Sequence, residues 1–219
     1  MSGSTRGIGR AIADRLEAAG DRVIRHGSSG SSDAGYRAAD LSDPAAVGEL
    51  AAWLTEARVD ILVNNAGVYV PAPFGNDDEA WARQFAINLE APRRLMAAFA
   101  DGRTGGKILN VASRVGFRGE AGASAYAATK AALINLTRSL AVEWAGRGIG
   151  VFVIAPGWVE TAMARDGMDD RLTEILKTLP LGRMASPEDC AAAAEFLLSD
   201  GASYLSGQAI DINGASYFH

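Results

Sequence analysis

Asp60-Ile61-Leu62-Val63-Asn64-Asn65-Ala66-Gly67 is a short apolar run that ends in a polar turn. The run does not alternate apolar with polar, which marks a strand buried on both faces. A strand of that kind needs helices on each side of its sheet. The same unit recurs outward along the chain. Residues 107–112 and 150–154 are further apolar runs, the second closed by Pro156-Gly157, and residues 209–212 form a last one. Upstream, residues 22–26 read as a short strand and residues 36–41 as a weak one ending at Asp40 and Leu41.

Helical patterns fill the intervals. Ile8, Ala11, Ile12, Leu16 and Ala19 recur at helical spacing and stop at Gly20. Asp43-Pro44 opens a second helix, with the acid as cap and proline in the first turn. Residues 77–100 and 123–145 predict two long helices, and residues 161–179 an amphipathic, lid-like segment. Ser186-Pro187-Glu188-Asp189 caps a helix that runs to Leu198. Strands alternating with helices predict one α/β domain over residues 1–219, a doubly wound parallel sheet. In such sheets the ligand lies beyond the carboxyl ends of the strands.

Bulk properties narrow the function. The chain has 219 residues, 48% of them hydrophobic and 21% charged, enough for a sizeable core. A net charge of −5 opposes nucleic acid or an anionic membrane as partner. Cys190 is alone, so no disulfide framework is expected; a reducing, cytoplasmic compartment fits, and the thiol reads as a small buried apolar group. No apolar run is long enough to span a membrane. No metal site is expected.

Three features fall where the chemistry should be. Gly3, Gly7 and Gly9 precede the first helix; glycines let a backbone approach a pyrophosphate, and a helix N-terminus favours its charge. Asn64-Asn65-Ala66-Gly67 follows the buried strand. Tyr126 and Lys130 stand at i and i+4, on one helix face. A nearby ammonium is expected to lower the phenol's pKa from about 10 towards working pH. Taken singly, each also fits a plain turn or a solvated helix face.

Together, the glycine turn, Asn64-Asn65-Ala66-Gly67, Ser113 after a second strand, Tyr126 and Lys130, and Pro156-Gly157 resemble, in order and spacing, the short-chain dehydrogenase/reductase family in its single-domain, Rossmann-like form. The match runs from Ser2 to Gly214. The resemblance implies an oxidoreductase that moves a hydride between NADP(H) and a carbonyl or secondary alcohol. Tyr126 would be the acid/base and Lys130 its partner, also bonding the nicotinamide ribose. Ser113 would polarise the substrate oxygen, and Asn88 would anchor a water in the proton relay. It further implies cofactor contacts from Gly3, Ser4, Thr5, Arg6, Gly7, Ile8, Gly9, Ser28, Asp40, Leu41, Asn64, Ala66, Gly67, Pro156, Gly157, Val159 and Thr161. Gly27 and Ser28 stand where an NAD-dependent member would carry an acid for the ribose 2′-OH. With Arg6, and Arg25 as a second cation, this favours NADP over NAD. A homotetramer or homodimer is the implied assembly.

Tyr69, Val70, Phe74, Phe117, Trp158, Met163 and Met168 are candidates for an apolar substrate pocket. The runner-up substrate is a 3-oxoacyl thioester on an acyl carrier: Arg114 and Arg118 could receive it, but Val142 stands where such members carry arginine. A non-catalytic nucleotide-binding regulator, or a truncated subunit, is the rival class. What departs from the family is the first strand, which belongs in mid-sheet between residues 22–26 and 60–63. Three expectations compete: an apolar segment encoded upstream of Met1, a sheet that closes up so that its neighbours pair, or weak folding and cofactor binding. The loop from His26 to Asp40 is also short for the usual intervening helix.

Overall fold

The computed structural model describes residues 1–30, 32–165 and 172–219. Four parallel strands, β3 (Ile61–Asn64), β4 (Lys107–Val111), β5 (Gly150–Pro156) and β6 (Ala209–Ile212), lie side by side in that order. Two more, β1 (Arg25–Gly27) and β2 (Tyr36–Ala38), form a separate parallel pair. Period-two alternation sorts the side chains between two cores. Leu109, Val111, Phe152 and Ile154 face Ile12 and Leu16 of α1 (Gly7–Ala18) and Ala194 and Leu197 of α8 (Pro187–Leu198). Ile108 and Val151 face Leu95, Met96 and Phe99 of α4 (Ala91–Ala100) and Leu133 of α5 (Ser124–Trp144). This is the doubly wound arrangement. Cys190 is fully buried in the first core, where desolvation pushes its thiol up to about 12.

The sheet does not close up. β1 and β3 share no ladder; residues 1–4 lie between them. The Ser2 N–H donates to Val63 O at 2.9 Å, and the Ser4 N–H donates to His26 O at 3.0 Å. The Met1 amine donates to Ile24 O at 2.9 Å. The Ser4 hydroxyl accepts from the His26 N–H at 2.8 Å. Two residues and a turn thus satisfy backbone groups on both flanks, which unpaired would each cost about 1–3 kcal/mol. With so short a neighbour, the strand expected over residues 22–26 pairs only over residues 25–27. β2 stops at Ala38, because Ala39 and Leu41 turn into a small core with Val47 and Ile87. Among the described residues the segment joining β1 to β2 holds turns and no helix.

The expected 77–100 helix is interrupted. α3 (Asp78–Phe85) passes into one π-helical turn, Ala86–Glu90, before α4. Such bulges re-aim side chains at functional sites, and this one carries Asn88. α2 (Pro44–Ala57) starts as expected, with the Asp43 carboxylate accepting from the Ala45 N–H at 2.9 Å. α8 opens with the reciprocal Ser186–Asp189 capping box. In the lid-like segment α6 (Ala162–Arg165) and α7 (Leu172–Lys177) are short helices; Met168 lies outside the described residues. No helix among the described residues is long and apolar enough to cross a membrane.

Candidate active site

The glycine turn is held from three directions. Gly3 and Gly7 adopt φ of 60° and 54°, conformations that side chains resist. Gly9, in the first turn of α1, is pressed against the glycine turn: a Cβ there would lie 2.1 Å from Gly3 O and 2.3 Å from Asn65 Nδ2. Asn65 donates to Gly3 O at 2.8 Å, and the Ser2 hydroxyl accepts from the Asn65 and Ala66 N–H groups at 3.0 and 3.1 Å. From the other flank the Gly3 N–H donates to His26 Nδ1 at 3.2 Å. Burial lowers the His26 pKa to about 4, so the ring is a neutral acceptor. The α1 N-terminus has no side-chain cap, leaving its N–H groups available to an anion. Thr161 closes the third side, its Cγ2 3.3 Å from where a Gly7 Cβ would be. These are the features a pyrophosphate requires.

Tyr126, Lys130, Asn88 and Gly67 converge beyond the ends of β3 and β4. Lys130 is buried, donates to Val111 O at 2.8 Å and lies 5.5 Å from the centre of the Tyr126 ring. A Cβ on Gly67 would sit 3.3 Å from Asn88 Oδ1 and 3.5 Å from Lys130 Nζ, so the Gly67 backbone lies close against both groups. The Asn88 amide is committed to Val68: it donates to Val68 O at 2.9 Å and accepts from the Val68 N–H at 2.8 Å. Ser113 caps a 3-10 turn, Arg114–Gly116, and stands beside Tyr126. The Tyr69 ring lies 5.2 Å from the Tyr126 ring.

The electrostatics differ from expectation. Tyr126 is pushed up, to about 12, chiefly by burial, with the Ser113 hydroxyl pulling down and Tyr69 adding to the rise. Burial lowers Lys130 to about 8. Its ammonium is spent on a carbonyl, and desolvation of the phenolate outweighs what the cation offers. Tyr126 is therefore a protonated acid at neutral pH.

A family model described as enoyl-(acyl carrier protein) reductase matches residues 3–215. The 3-oxoacyl-(acyl-carrier-protein) reductase FabG of Salmonella typhimurium is 39% identical over 99% of this chain and 96% of its own length. That of Escherichia coli is 38% identical over the same shares. The chain belongs to the short-chain dehydrogenase/reductase family. Among solved structures, a candidate NAD(P)-dependent gluconate 5-dehydrogenase from Beutenbergia cavernae, holding NADP at low occupancy, superposes with a TM-score of 0.91. It is 39% identical, with 98% of this chain and 94% of that one covered. A blue fluorescent protein from a metagenomic library, in complex with NADPH, gives a TM-score of 0.89 at 32% identity, with 99% and 96% covered.

Not every side chain expected from the short-chain dehydrogenase/reductase pattern points into the cleft. Arg25 does not face the cleft; it pairs with Asp14 and Glu17 of α1 at 2.5 and 2.7 Å. The Asn64 side chain turns inward and donates to Asn110 Oδ1 at 2.9 Å. The side chains of Leu41 and Val159 belong to the cores. Asp40 is exposed, accepting from the Ser42 N–H and hydroxyl at 2.9 and 2.7 Å, which lower its pKa. Thr5 and Ser28 are exposed at the rim, and Arg6 beside them has no ion pair among the described residues. Phe74 is 79% exposed; with Val70 and Trp81 it lines a cavity of about 220 Å³ beside the start of α5. Met163 is exposed, and Phe117 stacks on His219 at 3.7 Å. Ser2, His26 and Asn65 are site-building residues that motif reading missed. Only the paired asparagines hinted at them.

Proposed function

We propose that the protein interconverts a carbonyl compound and the corresponding secondary alcohol with NADP(H). The observation that carries this is the convergence of Ser113, Tyr126 and Lys130 on one side of Gly67, with the glycine cradle on the other. Bound there, the dinucleotide would supply or accept the hydride. Gly3, Gly7, Gly9 and the open α1 N-terminus would hold its pyrophosphate under Thr161. Ser28 and Arg6, which has no ion pair among the described residues, suit a 2′-phosphate, and the sequence places no acid directly after β1 to repel one. Ser113 would orient the substrate oxygen, Tyr126 would deliver the proton to it, and Lys130 would stabilise the phenolate left behind. Asn88 would position the Gly67–Val68 segment through its two bonds to Val68. The exposed Trp81 on α3 and the 81%-exposed Val142 on α5 support a homo-oligomer that covers them. The charge balance and lone cysteine support a cytoplasmic setting.

The test is a fluorescence titration with NADPH and with NADH, followed by NADPH oxidation across aldehydes and ketones. Tyr126→Phe should lower kcat by about 10²–10⁴-fold with NADPH affinity unchanged. Arg6→Ala should weaken NADPH and spare NADH. Tighter binding of NADH by the parent protein refutes the cofactor assignment, and full activity in Tyr126→Phe refutes the mechanism. The whole-length similarity to FabG favours a second reading, a 3-oxoacyl thioester as substrate. Turnover of acetoacetyl-pantetheine in preference to every simple ketone would establish it.

A further inference from the structure

Arg114 follows Ser113 directly and is only 7% exposed. Its Cδ lies 3.6 Å from where a Cβ on Gly157 would be, and its guanidinium lies 5.2 Å from the centre of the Trp158 ring. It therefore sits between the carboxyl ends of β4 and β5, next to the residue expected to hold the substrate oxygen. Among the described residues its side chain makes no hydrogen bond; its one charged partner is Glu120, at 4.0 Å. A guanidinium largely withdrawn from water, with one carboxylate at 4.0 Å, keeps donors free for a further acceptor. Arg103 and Arg147 show how this chain treats a guanidinium that serves structure. Arg103 donates to Val59 O, and Arg147 donates to Ala100 O and Arg103 O. Arg114, more buried than either, has no such carbonyl among the described residues.

We propose that Arg114 receives the carboxylate of the substrate, so that the enzyme acts on short oxo acids or the matching hydroxy acids. This rests on the oxidoreductase reading above and names its substrate class. A planar guanidinium held against an indole face fits a carboxylate through two parallel hydrogen bonds. The charge balance points the same way. Burial holds the Arg114 pKa down, Glu120 favours its charge and Arg118 disfavours it. One carboxylate would neutralise the single charge of the guanidinium, which a dianionic phosphate would exceed. Burial also keeps Arg114 from serving as a docking site for the surface of a carrier protein. Glu120 occupies the guanidinium loosely and would yield to a closer acceptor.

The experiment compares short 2-, 3- and 5-oxo acids with their methyl esters, using NADPH and the full-length chain. The parent should prefer at least one acid over its ester by about tenfold or more in kcat/KM. Arg114→Gln should abolish that preference, raising KM for the acid by about tenfold or more and leaving the ester and NADPH affinity within about twofold. Arg114→Lys should restore part of the loss, since the charge returns without the fork. Glu120→Gln should lower KM for the acid, an effect opposite to that of a damaged fold. A parent that prefers esters, turns over no acid, or loses acid and ester activity equally in Arg114→Gln overturns the assignment. If Arg114→Gln fails to fold, the Glu120→Gln and Arg114→Lys results decide alone. Failure to bind NADPH would instead overturn the underlying oxidoreductase reading, and the titration records that separately.

Discussion

Adding one methyl group at Gly9 tests the architecture of the cofactor cradle. In Gly9→Ala the new Cβ would lie 2.1 Å from Gly3 O and 2.3 Å from Asn65 Nδ2, where ordinary contact is 3.4–4 Å. The amide can rotate away, but the carbonyl is backbone and must retreat by about 1 Å or more. Overpacking of this kind costs roughly 1–3 kcal/mol, and the Asn65–Gly3 hydrogen bond adds about 1 kcal/mol when it breaks. Alanine's helix propensity returns about 1 kcal/mol, which is not enough. A net loss of roughly 1–3 kcal/mol should appear in urea unfolding. The effect on binding should be larger in kind. Donors displaced by about 1 Å lose hydrogen-bonding geometry, and one charge-assisted bond is worth roughly 1.5–3 kcal/mol. The Kd for NADPH should therefore rise roughly 10–100-fold. Gly119→Ala is the control, because nothing lies within 4 Å of its Cβ position. A Gly9→Ala protein as stable as its parent, with NADPH affinity within about twofold, would refute the argument.

Three further outcomes follow from the same geometry. Asn88→Ala strands the half-buried Val68 N–H and C=O, so urea unfolding should show a loss of about 1–3 kcal/mol, with kcat/KM reduced as the Gly67–Val68 segment loosens. His26 has a folded pKa of about 4 against 6.5 when unfolded, so the unfolded chain binds the extra proton and stability falls as pH drops from 6.5 to 4. The full loss is about 3 kcal/mol, and urea midpoints between pH 7 and 5 should show most of it in the parent but not in His26→Gln. Lys130, lowered to about 8, should impose a falling limb on kcat/KM for reduction above about pH 8, since the neutral amine no longer steadies the phenolate. Lys130→Met should lack that limb.

Much of this was legible in one dimension. Apolar runs at residues 60–63, 107–112, 150–154 and 209–212 announce buried strands, because parallel sheets cover both faces of each strand and leave no alternation. Tyr126, Lys130, Ser113 and Gly67 are visible by type and spacing, because a helix face and a strand end are local objects. Three-dimensional packing decided the rest. Arg25 turned to the acids of α1, and Asn64 turned to Asn110, because the direction of a side chain depends on its neighbours in space. His26 and Asn65 brace the glycine turn from opposite flanks across distances that no local pattern encodes. Burial reversed the expected shift of Tyr126, since desolvation is set by everything packed around a group and not by the one cation a turn away. Residues 1–4 keep β1 and β3 apart by bonding both, a role that exists only once those two strands stand on either side.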